Sequence, residues 1–352
     1  DSDNFKIRKI DMNGIITATA GNGLWGFGGD GGSALNAMLR YPREVVVTDN
    51  GDVIFADTNN DGIRKVFRNG TIVTIAGNGT SGFTGDGVLA TETALNQPQS
   101  VAYRNGEVYI ADTENNRVRK IFVNGTITTV AGNGINGYCG DTGPALNICV
   151  NRPLSVVVNI SGEIFISDED NHIVRKVDNN GMISTFAGTL LSRNYTGDGG
   201  LAIDATLNSP RGLAINQKGA LLIADANNNK IRKVDKNGII STVAKDLSYP
   251  VAVSVGRDGE LFIVEGSKHR ITRVDLNDLK VTIAGTTEPG SSSSDFHLPE
   301  NAPLVFVSSV SVLSDTELIV ADTYNHRIKK VNMTTKTIVP LAPRSSLSYP
   351  RG

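Results

Sequence analysis

Residues 111–132 read ADTENNRVRKIFVNGTITTVAG, and variants of this stretch recur along the chain. Its basic core begins at Ile7, Ile63, Val118, Val174, Ile231, Ile271 and Ile328. The spacing is 55–57 residues, except for a step of 40 residues between Ile231 and Ile271. A period this regular predicts a repeat architecture, either a solenoid or a propeller.

One unit divides into four short β-rich runs, at residues 45–48, 53–56, 63–67 and 71–76. The last two are joined by Asn69-Gly70, and Asn-Gly between β-rich runs predicts a type I′ hairpin with positive φ at both residues. The same dipeptide recurs at Asn13-Gly14, Asn124-Gly125, Asn180-Gly181 and Asn237-Gly238. Four short strands per unit, with no sustained helical period, predict an all-β propeller.

The repeated pattern Ala-Asp-Thr-x-Asn-Asn/His-Arg-Ile-x-Lys-Val resembles the NHL repeat. The glycine-rich linkers, with Ala-Gly-Asn-Gly and Gly-Asp-Gly, are similar to those of teneurin-like, bacterial secreted and amoeboflagellate surface NHL proteins. The resemblance covers residues 5–340 and implies an NHL-type β-propeller of four-stranded blades. NHL propellers serve many functions, so the resemblance indicates the fold more closely than the activity.

The units predict one propeller over residues 1–352. Residues 5–21 supply half a unit, six full units start near residues 42, 98, 153, 210, 250 and 303, and residues 345–352 start a further unit. We therefore expect six blades. The alternative is seven, which would need two inner strands beyond residue 352. The spare strand pair is a candidate for exchange with a neighbouring molecule.

Four long linkers align without gaps and place one acid in each copy: Asp30, Asp86, Asp141 and Asp198. These acids are candidate Ca²⁺ ligands, because Ca²⁺ prefers six to eight oxygen ligands. Each linker offers only one carboxylate at a fixed place, however. The alternative is that the acid caps a turn while the nearby aromatic residue fills a gap between blades.

A second set of acids recurs with the basic core. The acids are Asp57, Asp112, Asp168, Asp225, Glu265 and Asp322, and the bases are Arg64, Arg119, Arg175, Arg232 and Lys329. They could form a ring of ligands or a basic face for RNA. Their presence in nearly every unit favours a structural role, as turn caps or as ion pairs between blades.

The two cysteines break the symmetry of the repeats. Cys139 and Cys149 lie in one linker, at positions occupied by other residues in the other copies. The sequence predicts a local disulfide between them, and a disulfide implies an oxidising compartment.

Histidine could indicate a metal site, but three of the four histidines occupy one repeat position on separate units. The four are His172, His269, His297 and His326, and all but His297 occupy that position. No motif for a nucleophile or a phosphate-binding loop is present. We therefore assign no catalytic residue and no cofactor, with Ca²⁺ as the one candidate ion.

Glycosylation sequons lie at Asn69, Asn78, Asn124, Asn159, Asn194 and Asn332. The chain has a net charge of -2, which argues against a nucleic-acid partner. It contains no apolar run long enough for a transmembrane helix and does not begin with a leader peptide.

Three functions remain. The first is a non-enzymatic, extracellular or cell-surface module that interacts with a protein or glycan partner. The second is a metal-dependent propeller lyase or hydrolase acting at the central channel. The third is an RNA-binding NHL domain, which the charge and the cysteine pair disfavour.

Overall fold

The computed structural model describes residues 5–10, 16–256, 258–268 and 270–284, together with the strands at 307–314, 317–322, 327–332 and 337–340. Within these ranges the chain forms strands joined by turns and three-residue 3-10 helices, without an α-helix. The linker at 286–299, the chain end at 345–352, and His269, His297 and His326 lie outside the described residues.

The strands follow the predicted repeat. The first pair is β1 (Ile7–Ile10) and β2 (Ile16–Ala20). The next sheet is β3 (Pro42–Val47), β4 (Val53–Asp57), β5 (Gly62–Val66) and β6 (Ile72–Ala76). It is followed by β7 (Pro98–Arg104), β8 (Glu107–Asp112), β9 (Arg117–Ile121) and β10 (Ile127–Ala131).

The third full unit contains an additional strand from its linker. Its strands are β11 (Gly143–Pro144), β12 (Pro153–Val158), β13 (Ile164–Asp168), β14 (Ile173–Val177) and β15 (Met182–Ala187). The fourth unit is β16 (Pro210–Ile215), β17 (Leu221–Asp225), β18 (Lys230–Val234) and β19 (Ile240–Ala244). The fifth is β20 (Pro250–Val255), β21 (Leu261–Glu265), β22 (Arg270–Val274) and β23 (Lys280–Ala284). The last is β24 (Val307–Ser314), β25 (Glu317–Asp322), β26 (Arg327–Asn332) and β27 (Thr337–Pro340).

Within each unit, neighbouring strands pair antiparallel in chain order, as in a propeller blade. The first strands of successive units contact one another: β3 with β7, β7 with β12, β12 with β16, β16 with β20, and β20 with β24. The first strand is therefore the inner strand of each blade, and the fourth strand lies at the outer edge.

The all-β propeller of antiparallel sheets is confirmed, but the predicted number of six four-stranded blades, with seven as the alternative, is wrong, since the described structure has five four-stranded blades. Five sheets have four strands, the sheet of the third unit has five, and β1 and β2 form a two-stranded sheet. The fifth strand arises because Gly143 and Pro144 of the linker pair with Ile183 and Met182 at the start of β15.

The hydrophobic core lies between consecutive sheets. The cluster between the third and fourth units contains Phe165 and Val174 from one sheet and Leu221 and Ile223 from the next. The linker adds Ala202, Ala205 and Leu207 to the same cluster. Small apolar residues of the linkers therefore fill the space between blades, a role that sequence analysis assigned to the aromatic residue.

The N-terminal strand pair packs against the first full sheet through the same kind of cluster. Ile7 and Ala20 contact a core that includes Phe55 and Ile72. This pair occupies the place of the outer two strands of a preceding blade. On the inner side, Val47 of β3 is 65% exposed.

The Asn-Gly turns differ from the type I′ prediction. Gly70 has φ of 85° and Gly125 has φ of 83°, whereas φ is not positive at Asn69 or Asn124. The Gly70 N–H donates to Phe67 O, and Asn69 Oδ1 accepts from the Thr71 N–H. The geometry is a type I turn closed by a left-handed glycine, the three-residue hairpin form.

A 3-10 turn follows the second strand of each of the first five full units: Thr58–Asn60, Thr113–Asn115, Glu169–Asn171, Ala226–Asn228 and Gly266–Lys268. Three linkers contain another at Ala34–Asn36, Ala90–Glu92 and Ala202–Asp204. Among the described residues, no helix has the length and apolar character needed to cross a membrane.

Candidate functional site

The repeated charges meet at one buried arginine in each of four blades. The Arg64 side chain has no exposed surface, although Arg64 lies on the third strand of its blade, in the outer half of the sheet. Its guanidinium lies 2.7 Å from Asp30 Oδ1 of the linker and 3.4 Å from Asp57 Oδ2 of the second strand. It also donates to Gly28 O at 3.2 Å, and the Phe27 ring lies 5.1 Å away. We call this set of contacts an arginine node.

The node repeats in the next three units. Arg119 lies 2.9 Å from Asp86 and 3.6 Å from Asp112, and Arg232 lies 2.9 Å from Asp198 and 3.5 Å from Asp225. Linker aromatics cover both guanidinium groups, Phe83 at 4.8 Å and Tyr195 at 4.8 Å. A buried arginine needs nearby acceptors and anions, and the linker motif aromatic-x-Gly-Asp supplies both.

The third unit carries a looser form. Arg175 pairs with Asp168 at 3.1 Å and donates to Gly140 O at 3.0 Å. Asp141 lies 3.9 Å from the guanidinium and accepts instead from the Thr185 hydroxyl at 3.0 Å. This is the unit with the disulfide, so the covalent bond accompanies a weaker linker-to-arginine contact.

The structure places three of the four candidate calcium ligands, Asp30, Asp86 and Asp198, against a guanidinium. A carboxylate beside an arginine is a poor cation ligand, because the fixed positive charge repels the ion. In the described part of the chain, no three His, Cys, Asp or Glu side chains are grouped as a metal site would require. These contacts give three of the acids an arginine as partner within the protein. Calcium binding by the four acids stays a prediction.

The second-strand acids pair within their own blade rather than between blades, so the inter-blade part of the prediction is wrong. Asp57 Oδ1 accepts from the Arg40 N–H at 2.6 Å, and Asp57 Oδ2 accepts from Asn60 Nδ2 at 2.9 Å. Each acid thus ties the end of the preceding linker to the turn after the second strand. Burial raises the pKa of all four aspartates to about 6, against the opposing effect of these hydrogen bonds and of the arginine: Asp57, Asp112, Asp168 and Asp225.

The fifth unit lacks the node. Its linker is short, Thr272 replaces the arginine, and Glu265 replaces the aspartate. Glu265 pairs instead with Arg270 at 2.6 Å. The loss of the linker acid and of the arginine in the same unit was a signal, available in the sequence, that the two residues are partners.

The structure contains the predicted disulfide between Cys139 and Cys149, with Cα atoms 5.3 Å apart. The equivalent positions face each other in other linkers too. Thr84 Oγ1 accepts from the Ala94 N–H at 2.9 Å, and the Thr196 and Thr206 hydroxyls lie 3.1 Å apart. The cysteines therefore cross-link a contact that already exists in the repeat.

His172 is a repeat-position residue, not a member of a metal cluster in the described structure. Its φ is 59°, and its Nδ1 accepts from the Ser209 N–H at 2.9 Å. Asn116 and Asn229 accept from Arg152 and Tyr249 in the same way. Burial, followed by the nearby Arg193 charge, lowers the pKa of His172.

One carboxyl group on an inner strand, that of Glu44, has a raised pKa. Glu44 lies on β3, and burial raises its pKa to about 7, while a hydrogen bond with Ser100 acts in the opposite direction. Sequence analysis missed this residue, because Ser100 and Ser155 occupy the equivalent inner positions and no motif surrounds Glu44.

The sequon asparagines in the described region differ in exposure and in the hydrogen bonds of their side-chain amides. Asn69, Asn78, Asn124 and Asn194 are exposed. Asn78 Nδ2 donates to Glu92 O, and Asn159 Nδ2 donates to Glu163 Oε2. Asn332 lies where only the backbone strand is described.

Sequence comparisons identify NHL repeats. The family described as NHL repeat matches residues 95–121, and the family described as Teneurin NHL domain matches residues 189–250. Teneurin-1 of Mus musculus is 30% identical over 238 residues, 59% of this chain and 8% of the teneurin. Protein SUPPRESSOR OF QUENCHING 1, chloroplastic, of Arabidopsis thaliana is 29% identical over 259 residues, 67% of this chain and 23% of that protein.

A structural comparison supports the fold. A virginiamycin B lyase from Staphylococcus aureus superposes with a TM-score of 0.57 at 15% identity, over 96% of this chain and 87% of the lyase. At that identity the likeness concerns the propeller architecture alone. The resemblance seen in the repeats is thus confirmed: the chain carries NHL repeats, and its residues 189–250 match the teneurin NHL domain.

Proposed function

We propose that this chain is a non-enzymatic, extracellular or cell-surface module that interacts with a protein or glycan partner. The observation that carries the proposal is the use of the repeated acids. In the first, second and fourth full units the linker acids are paired with buried arginines, which makes them part of the scaffold. Partner binding would then depend on the exposed residues around these acids, which differ from unit to unit.

Two further observations support an extracellular placement. The Cys139–Cys149 disulfide is typical of an oxidising compartment. The teneurin similarity is consistent with interaction between proteins, although the chain spans only 8% of those relatives.

Mass spectrometry of the chain secreted from eukaryotic cells tests this placement. We expect no free thiol, and glycans on the exposed hairpin sequons Asn69 and Asn124 or on Asn194, with Asn332 as a further candidate acceptor. Asn78 and Asn159 should be occupied less, since their amide nitrogens already donate to the protein. Free cysteines together with unoccupied sequons would contradict the proposal.

Self-association by strand exchange is part of the same proposal. The N-terminal pair β1 and β2 lacks two inner strands in the described structure, and Val47 is 65% exposed on that flank. Val45 of the same strand is 42% exposed, whereas Val156 and Leu213, at the equivalent inner-strand positions of later blades, are 0% and 5% exposed. Strands from a second molecule would cover this flank.

Light scattering across a concentration series tests the exchange. Val47→Asp should shift the chain towards monomer, because it buries a charge in the new contact. Ile160→Asp, at a turn residue that is 88% exposed, is the matched control and should change nothing. A monomer at every concentration, or equal behaviour of both variants, would remove this part of the proposal.

A metal-dependent lyase or hydrolase is the second candidate. Glu44 favours it, since a carboxyl with a pKa of about 7 on an inner strand suits acid–base chemistry. Stoichiometric metal in the purified chain, lost in Glu44→Gln, would support this candidate. Retention of partner binding by Glu44→Gln would favour the interaction module.

The burial of the third-strand arginines argues against the RNA-binding alternative. It required the third-strand bases to form a basic face, but Arg64, Arg119 and Arg175 have no exposed side-chain surface. Buried guanidinium groups cannot reach a phosphate backbone.

A further inference from the structure

The gap between the fourth and fifth blades is the one place in the five described full units where a glycine-rich linker is missing. In the preceding gap, residues 197–207 fill this space, with Ala202, Ala205 and Leu207 in the core. In the gap before β20 the linker shortens to residues 245–249 and contributes Leu247. A cavity of about 780 Å³ remains between β19 and the next blade, and its lining combines apolar residues such as Val243 and Leu276 with three lysines and four aspartates.

The outer edge of the fifth blade is also left uncovered. In the fourth blade, the Ile240 N–H donates to Gly200 O, and the Gly199 N–H donates to Ile240 O. β23 is the last strand of its sheet, and no isolated bridge among the described residues reaches it. An unpaired strand edge beside an open groove is the geometry used to bind extended peptides by strand addition.

The residues of this edge have the register needed to hold such a peptide. Thr282 pairs with Thr272 as Thr74 pairs with Arg64. The Thr74 N–H faces outward and donates to Asp30 Oδ2 at 3.0 Å. The Thr282 N–H therefore points towards the place where a linker carboxylate would lie.

The charge at this edge is complementary to an acidic linker segment. Lys280 stands where the other blades have a buried isoleucine, as Ile240 shows. Its Nζ donates to Lys245 O at 2.6 Å and lies 3.7 Å from a carboxylate oxygen of the exposed Asp246, a loose ion pair at the mouth of the gap. A peptide aspartate could replace that contact and take Lys280 as its cation in place of the absent arginine.

We propose that this gap binds an extended peptide of a partner protein with the chemistry of the chain's own linkers: Gly-Asp-Gly followed by small apolar residues. The peptide adds to the edge of β23, places its aspartate near Lys280 and the Thr282 N–H, and inserts its alanines between the blades. This inference rests on the proposed function, because it names the kind of partner that the interaction module takes.

Fluorescence anisotropy with a labelled peptide tests the site. The probe is GDGGLAIDATLN, the sequence of residues 197–208, titrated with the intact chain. We expect saturable binding. A control peptide with glutamate at both core-filling alanine positions should not bind, since burying two carboxylates between the blades without partners is costly.

Three variants of the chain locate the binding. Thr282→Ala keeps the N–H and should bind like the wild type, whereas Thr282→Pro removes it and should bind about tenfold more weakly. Val243→Trp fills the gap without changing the edge and should also weaken binding.

Absence of saturable binding to the wild type, or binding unaffected by both Thr282→Pro and Val243→Trp, would overturn the inference. If the secreted chain is nevertheless glycosylated and free of thiols, the proposed function stands and only the peptide site fails.

Discussion

At the scale of single residues, the buried arginine connects the linker acid and the second-strand acid of its unit. Arg119 has no exposed side-chain surface and lies between a buried aspartate, Asp112, and a half-exposed one, Asp86. The two acids therefore contribute unequally. Loss of the arginine leaves Asp112 buried without its cation, whereas loss of Asp86 leaves Arg119 with its second-strand partner.

Unfolding in urea should separate these two contributions. Arg119→Met is expected to lower the free energy of unfolding by about 3–5 kcal/mol, the cost typical of breaking a buried pair from one side. Asp86→Asn keeps an acceptor oxygen and should cost no more than about 1 kcal/mol, as for an exposed pair. Equal losses in the two variants would show that the linker acid is the main partner.

The pH dependence of stability should depend on His172. Its pKa in the folded chain lies below the ordinary value of 6.5, so the unfolded chain binds the proton more readily. Its contribution to stability is therefore present above about pH 6.5 and is lost as the pH falls below that value. Protonated Nδ1 also cannot accept from the Ser209 N–H.

His172→Asn provides the matched comparison, since Asn116 and Asn229 fill this position in neighbouring units. We expect the variant to be less sensitive than the wild type when urea unfolding is measured between pH 7 and pH 5. Parallel pH profiles would show that the histidine does not titrate in this range.

At the scale of elements, the linkers act as parts of the blades they precede. Each long linker runs along the outer edge of the next sheet, as the bridges Ser33 to Thr71 and Leu201 to Ile239 show. In the disulfide-bonded copy the bridge extends to the two-residue strand β11. The linkers therefore cover sheet edges that would otherwise invite association.

An engineered disulfide tests the equivalence of the linkers. Thr84→Cys with Ala94→Cys places cysteines at the positions of Cys139 and Cys149, where a Thr84-to-Ala94 contact already exists. We expect the bond to form in the oxidised protein and to raise the free energy of unfolding, by at most about 3 kcal/mol for so short a loop. Two free thiols after oxidation would show that the two linkers differ in backbone geometry.

At the scale of the whole molecule, periodicity predicted most of the fold. Repeat spacing located the strands, and the pairing of Cys139 with Cys149 followed from two cysteines in one linker. The strand count of the third sheet could not be predicted, because the pairing of Gly143 and Pro144 depends on the docking of the linker. The type of hairpin was wrong because Asn-Gly suits two turn geometries, which differ in the φ of the asparagine.

The site was less predictable than the fold. The acids and arginines were visible as repeated residues, but a linker acid and its arginine are 33–34 residues apart and meet only after the linker folds back. Glu44 and the gap before β20 are features of single units. The sequence indicates the gap through three differences between the fifth unit and the others: the short linker, Thr272 in place of arginine and Lys280 in place of isoleucine.

The central claim is that each long linker is held on the blade that follows it by that blade's buried arginine. Hydrogen exchange in Arg119→Met tests it most directly, since the Gly87 N–H donates to Ile127 O and the Ala90 N–H donates to Gly125 O. We expect faster exchange at Gly87 and Ala90, while Gly31 and Ala34, on the intact Arg64 node, keep the wild-type rates. Unchanged exchange at Gly87 and Ala90, or equal acceleration in both linkers, would contradict the claim.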